Sequence, residues 1–474
     1  MRKPPLVNRA GGSFRDPEGH VYIASGRVFR GIAHQAADRL RAFLRSDFFR
    51  ERGGAHIVET REVAPEVAME AGVPESEAAA WALWVEHETL PLITYPYEWP
   101  FECLKQAACL TLELLADALR NGYTLKDASA FNVQFINTRP IFIDVLSFTE
   151  YEEGAPFLGY KQFCEQFFAP LCLTAFAGIE FNQWFRGRLD GLDLIEASRA
   201  LPFSTRCRPQ VLMHLHSQAW AMRKLKSASA RERPGKKPRR IPRRNLIALA
   251  DGLRRYTGKL ERGRQTYWQK YAAQNSYDDR SRASKTRMAQ EFVTRTQPAR
   301  LLDLGCNTGE YSKVAIDAGA RAVVGVDSDC GALDAAATQA RREGWPAQFL
   351  FWDIANPSPD LGWLREERAA LEKRLSGVDA VFCFALIHHL VIGRNIPLEE
   401  FVRWVCGLAP RGLIEFVPKS DPMARGLLRD RDDVFDTYDR ENFERALEEC
   451  AEIVTVHDLE PTTRTVFEFR RAGR

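Results

Sequence analysis

Three acids and a glycine turn in the second half of the chain have the types and spacing of a nucleoside-bearing site. Asp303 closes the apolar run of "LLDLGCNTGEYSKV" and is followed by Gly305 and Gly309; Asp327 closes "VVGVDSD" and Asp353 closes "FLFWDI". A dinucleotide fingerprint needs Gly-x-Gly-x-x-Gly so that backbone amides can close on a pyrophosphate. That spacing is missing here, and a carboxylate at Asp303 repels phosphate but attracts an ammonium group. The turn suits a cationic cofactor without phosphates, and S-adenosylmethionine fits, with its ammonium, sulfonium and adenosine. Asp327 can accept hydrogen bonds from both ribose hydroxyls, the role an acid takes about twenty residues after such a turn. Asp353 can take the adenine amino group, with Ile354 or Trp352 packing on the ring.

Two further groups of residues carry chemistry. His388 and His389 in "ALIHHL" lie where an acceptor should sit. An oxygen nucleophile sheds a proton as it attacks a methyl group, and imidazole titrates near neutral pH. Either one of them, with His389 slightly favoured, serves as general base, or both order the loop. In the first half, "TLKDASAFNVQFINTRPIFIDVLSF" places Asp127 five residues before Asn132, with Asp144 at the end of an apolar run after a short hairpin.

The elements that must position these residues follow from periodicity. The runs "ARLLDLG", "AVVGVDSD", "AQFLFWD", "VDAVFCFAL" and "GLIEFVP" alternate with helical patterns, which predicts crossovers and a parallel sheet. "EIVTVHDL" and "RTVFEFR" are separated by a short turn and should form an antiparallel hairpin at the end of that sheet. Just before the first strand, "YWQKYAAQNSYDDRSRASKTR" reads either as a helical cap with Tyr277 and Lys285 facing inward, or as a solvated helix with aromatic anchors. The segment from Glu415 to Glu449, rich in acid and arginine, should shape the acceptor pocket.

Length and composition set limits. A chain of 474 residues exceeds one ordinary core, so two or more domains are expected. Hydrophobic residues make up 45% and the net charge is only +3, the profile of a globular protein. The first twenty residues lack the apolar run and cleavage site of a secretory signal, so a cytoplasmic location is expected. The ten cysteines lie in apolar runs and read as buried thiols, and neither His pair has metal-ligand spacing on a helix. The stretch Phe167 to Ile179 is shorter than the roughly 20 residues of a membrane span and reads as a buried core helix. Lys224 to Asn245, "KLKSASARERPGKKPRRIPRRN", is basic and proline-broken. It reads as an exposed linker, with no aromatic residues interleaved to stack on bases. The expected organisation is an N-terminal α+β domain over 1–223, the linker over 224–245, the helical cap over 246–298 and an α/β domain over 299–474.

Ala299 to Arg470 resembles the class I S-adenosylmethionine-dependent methyltransferases. "DLGCNTGEYS", "VVGVDSD", "FLFWDIAN" and "FCFALIHHL" match the family's successive motifs in order and spacing. The resemblance implies a Rossmann-like sheet of seven strands, with Asp303, Gly305, Cys306, Asn307, Gly309, Asp327, Ser328, Asp353, Ile354 and Phe384 around the cofactor. Members that methylate exocyclic base amines usually carry an Asn/Asp-Pro-Pro-aromatic turn where this chain has "ALIHHL". The latter is similar to the small-molecule O- and C-methyltransferases, so a nucleic-acid acceptor is possible but not favoured.

Asp127, Asn132 and Asp144 resemble, in order and spacing, the catalytic Asp and the two metal-binding residues of protein-kinase-like phosphotransferases. "FECLKQAACLTLELLADALRNGY" matches the helix before that loop, and "YIASGRVFRGI" reads as a degenerate hairpin. The Gly-rich loop and the strand lysine are missing, and Val145 and Leu146 replace Phe-Gly. An inactive kinase-like scaffold, a working phosphotransferase and an unrelated fold all stay open, and a helper role in presenting substrate covers the first half. The layout also resembles nodulation-associated methyltransferase-like proteins. For the whole chain the expected function is methyl transfer to a small molecule. The alternative is a catalytically silent cofactor-binding sensor or scaffold.

Overall fold

The computed structural model describes residues 7–227, 240–263, 266, 279–429 and 431–471. The chain divides into two compact units, Met1–Arg264 with Pro359–Ala369, and Gln265–Ser358 with Ala370–Arg474.

The first unit opens with a five-stranded antiparallel sheet of β1 (Val7–Arg9), β2 (Gly19–Ala24), β3 (Arg27–Ile32), β4 (Thr60–Val63) and β5 (Leu83–His87), in the order β1-β2-β3-β5-β4. The hairpin read in "YIASGRVFRGI" is β2–β3, closed by Ser25 and Gly26, both at positive φ. Helix His34–Leu44 follows β3, and its apolar stripe buries Ala36, Ala37, Leu40 and Phe43. The 20-residue helix Phe101–Arg120 leads into β6 (Tyr123–Leu125), then the loop with Asp127 and Asn132, the hairpin β7 (Val133–Ile136) and β8 (Arg139–Phe142), and β9 (Phe148–Glu150). Sheet, long helix, acid-bearing loop, hairpin and second acid thus succeed one another along the first unit. Phe167, Phe168, Leu171 and Leu173 are buried in helical turns as expected, but the helix ends at Ala177 and Ile179 is exposed beyond it. Among the described residues no helix is long and apolar enough to cross a membrane.

An arginine on the central hairpin holds the second acid of this half. Arg30 on β3 is buried and donates to Asp144 at 2.7 Å and Asp16 at 2.5 Å. Asp144 also accepts from the Ser147 hydroxyl at 2.5 Å. Burial alone would raise the Asp144 carboxyl, but the Arg30 charge and the Ser147 hydroxyl hold it below its ordinary value. Asp127 accepts from the Ser129 amide at 2.8 Å, and the Asn132 side chain donates to the Ser147 hydroxyl at 3.3 Å. These residues are held by their own chain. Magnesium and ATP should therefore leave the melting temperature of the full chain unchanged. Asp144→Asn should cost about 2–3 kcal/mol, below the value for a fully buried pair because the carboxylate is partly exposed. A magnesium-dependent rise in melting temperature, lost in Asp144→Asn, would instead identify a nucleotide site.

The expected boundaries shift in two places. Helix Arg243–Gly258 belongs to the first unit and packs on Phe101–Arg120, because Leu246, Ala250, Leu253 and Thr257 form one buried face. The cap expected over 246–298 is thus not one element. The units part at Arg264, beyond the basic segment, whose residues 228–239 lie outside the described residues. Second, Pro359–Ala369, read as part of the 299–474 domain, belongs to the first unit. Arg15 donates to Glu367 at 2.6 Å, and the Arg368 guanidinium lies 4.4 Å from the centre of the Phe131 ring.

The second unit carries β10 (Leu301–Leu304), β11 (Val323–Asp327), β12 (Ala347–Phe351), β13 (Ala380–Cys383), β14 (Arg411–Phe416), β15 (Glu452–Asp458) and β16 (Thr465–Arg470). They form one sheet in the order β12-β11-β10-β13-β14-β16-β15. The first five are parallel, and β16 runs antiparallel to both β14 and β15. The seven strands and the terminal hairpin are those expected. The chain leaves β10 for β11 on one side and reaches β13 on the other, which opens a crevice beyond the carboxyl end of β10.

Candidate functional site

A cavity of about 410 Å³ lies at that crevice, within the roughly 300–1,000 Å³ of small-molecule sites. Asp303, Asp327 and Asp353, at the ends of β10, β11 and β12, all line it, as do Gly305, Cys306, Asn307, Ser328, Ile354, Phe384, His388 and His389. Three adjacent parallel strands of one register bring together acids that are 24 and 26 residues apart in the chain.

The turn after β10 explains why these residue types stand there. Gly305, Asn307 and Gly309 all have positive φ. Gly309, expected among the cofactor contacts, does not line the cavity. It begins helix Glu310–Asp317 at φ +82°, and a Cβ there would come within 3.1 Å of the Phe349 ring. Its role is to let the chain turn tightly under the sheet.

Asp303 is buried and accepts from the Ser312 hydroxyl at 2.6 Å. Burial pushes its carboxyl up to about 6, opposed by the Ser312 bond and reinforced by the nearby Asp327 charge. Asp327 accepts from the amides of Asn307 at 2.9 Å and Asp329 at 2.8 Å, one on each carboxylate oxygen, which leaves further lone pairs on both. Burial raises it as well. The Asn307 side-chain oxygen is buried and unpartnered. An unmet acceptor beside three acids, with the nearby Lys285 ammonium engaged by Glu415, fits an ammonium-bearing nucleoside better than a pyrophosphate.

Basic side chains line the same cavity, and the Lys285 charge reaches Asp303. Lys285, on helix Asp279–Thr296, is 3% exposed and donates to Glu415 at 2.7 Å, with its ammonium over the rings of Tyr311 and Phe384 at 4.7 and 4.8 Å. Lys285 thus faces inward as one of the two readings had it; Tyr277 lies outside the described residues. Arg464 donates to Glu415 at 3.2 Å and to Asp421 at 2.8 Å. Glu415 also accepts from the Ala385 amide at 3.0 Å, which holds Ala385 at φ +49° just before the two histidines. Met423 and Leu427, from helix Pro422–Leu428 in the segment expected to shape the acceptor pocket, complete the wall.

Glu415 was legible as an acid inside the apolar run "GLIEFVP", which demands a buried partner. Nothing in the sequence marked Arg464. The histidines differ from expectation in their titration. Burial, helped by His389 and Arg464, lowers His388 to about 2, and burial with Arg464 lowers His389 to about 4. Neither is poised near neutral pH as a general base. His388, the less favoured of the two, is the more buried, and both of its ring nitrogens are unpartnered.

Residues 302–413 match the family described as methyltransferase domain. The chain is 37% identical over 470 residues to nodulation protein NoeA of Rhizobium meliloti (strain 1021), covering 99% of this chain and 97% of that one. The chain belongs to the NoeA family. It is a methyltransferase of the S-adenosylmethionine-dependent kind. Solved structures similar to part of it include the N-methyltransferase NodS from Bradyrhizobium japonicum WM9, at 11% identity, 41% of this chain, 99% of that chain and a TM-score of 0.31. The bifunctional kinase-methyltransferase WbdD matches at 18% identity, 42% of this chain and a TM-score of 0.29; the match spans 41% of that chain's length.

Proposed function

We propose that this member of the NoeA family binds S-adenosylmethionine in the cavity beyond β10 and methylates a small molecule, on oxygen or carbon, with the first unit assisting acceptor binding. The observation that carries this reading is the convergence of Asp303, Asp327 and Asp353 on one cavity beside the unmet Asn307 oxygen. Bound there, S-adenosylmethionine supplies an activated methyl group. Asp303 faces the cofactor ammonium, Asp327 the ribose hydroxyls and Asp353 the adenine amino group, while Phe384 and Ile354 exclude water.

Calorimetry as a function of pH tests the assignment. Asp303, at about 6 in the free protein, must be ionised to receive an ammonium group. Below that value its proton has to leave on binding, so affinity for S-adenosylmethionine should fall by about tenfold per pH unit. Binding should level off above pH 7. A flat profile from pH 5 to 7 would show that Asp303 does not receive the ammonium group, and absence of binding would overturn the reading as a whole.

A further inference from the structure

We propose that the methyl acceptor is the carboxylate oxygen of a small acid with an apolar body, received by His388 beside Arg464. This rests on the reading of the cavity as a methyltransferase site and narrows its substrate.

The first argument is charge. Arg464 and Arg394 line the cavity, the Arg464 charge acts on both His388 and His389, and the acid Glu310 is taken by Arg282 at 2.6 Å. Glu415 and Asp421 stand behind Lys285 and Arg464 as counter-ions. An ammonium acceptor beside the histidines would meet the Arg464 charge, whereas a carboxylate is stabilised by it.

The second argument is hydrogen bonding. His388 lines the cavity at 1% exposure with neither ring nitrogen partnered, and an unmet buried donor costs about 1–3 kcal/mol. A neutral imidazole has one N–H to give, and a carboxylate oxygen is the acceptor that uses it best. The burial that keeps His388 and His389 neutral also makes them poor sinks for the proton that a hydroxyl or ammonium acceptor would release.

A carboxylate needs no such sink. Its oxygen forms the new O–CH3 bond as the S–CH3 bond breaks, the bonding pair stays on sulfur, and the products are a methyl ester and S-adenosylhomocysteine, whose thioether sulfur carries no charge. One positive and one negative charge cancel and no proton moves. Tyr311, Phe384, Leu390 and Met423 supply apolar surface for the acid's body.

The experiment uses the full chain loaded with S-adenosylhomocysteine, whose own binding is measured first. If it does not bind, the proposed function fails. With it bound, calorimetry compares three probes of one shape: benzoate, benzyl alcohol and benzylammonium. Benzoate should bind at millimolar concentration or below, about tenfold tighter than benzyl alcohol, and benzylammonium should give no heat. His388→Ala should weaken benzoate by about tenfold, and His388→Gln, which restores a donor, should recover part of that loss. No benzoate binding, or binding of either other probe as tight as benzoate, overturns the proposal while leaving the cofactor site standing.

Discussion

Glu415→Leu should destabilise the second unit by about 3–5 kcal/mol in urea unfolding. The carboxylate is fully buried between Lys285 and Arg464. Burial alone would raise it, but the two cations hold it below its ordinary range. Its removal leaves Lys285 as a buried ammonium without its 2.7 Å partner, while Arg464 keeps Asp421. It also frees Ala385, whose left-handed backbone is held by the Glu415 bond and costs about 1 kcal/mol or more. The double variant Lys285→Met, Glu415→Leu removes both members of the tighter pair and should be more stable than Glu415→Leu alone, because no orphaned charge remains. If the double variant loses the sum of the single losses, the pair is not coupled and its role as a buried ionic unit is refuted.

What was readable in the sequence divides along a physical line. The seven strands of the second unit, their terminal hairpin and the acids at their ends were legible because each depends on local periodicity and on strand ends that the topology must align. Asp303, Asp327 and Asp353 are examples. Gly309 lies off the cavity lining, because a glycine at such a turn also serves the backbone, and the nearby Phe349 ring that leaves no room for a Cβ is not visible in the sequence. Arg464 was invisible because its partners come from β14 and the segment after it, dozens of residues upstream. Arg30 was invisible as the partner of Asp144 because the two lie 114 residues apart and nothing local to "VFRGI" marks the pairing. The histidines were found, yet their state was not, since burial and the Arg464 charge set it and neither is written in "ALIHHL". Pro359–Ala369 left its expected domain for a similar reason: Arg15 and Phe131 are its partners, and both are more than two hundred residues away in the chain.

Asp327→Ala should weaken S-adenosylmethionine binding by about 2–4 kcal/mol, roughly 30- to 1,000-fold in Kd. Two ribose hydroxyls would lose a charged acceptor at once. The same carboxylate also receives the amides of Asn307 and Asp329, so a loss of affinity could arise from a disordered turn as well as from lost ribose bonds. A cycle with the ligand separates the two causes. An S-adenosylhomocysteine analogue without the ribose hydroxyls should bind the native protein far more weakly than S-adenosylhomocysteine itself. Asp327→Ala should bind the two ligands within a few-fold of each other, because the partner of the deleted hydroxyls is already gone. If the variant still discriminates between them as strongly as the native protein does, the ribose is held elsewhere and Asp327 serves the turn alone.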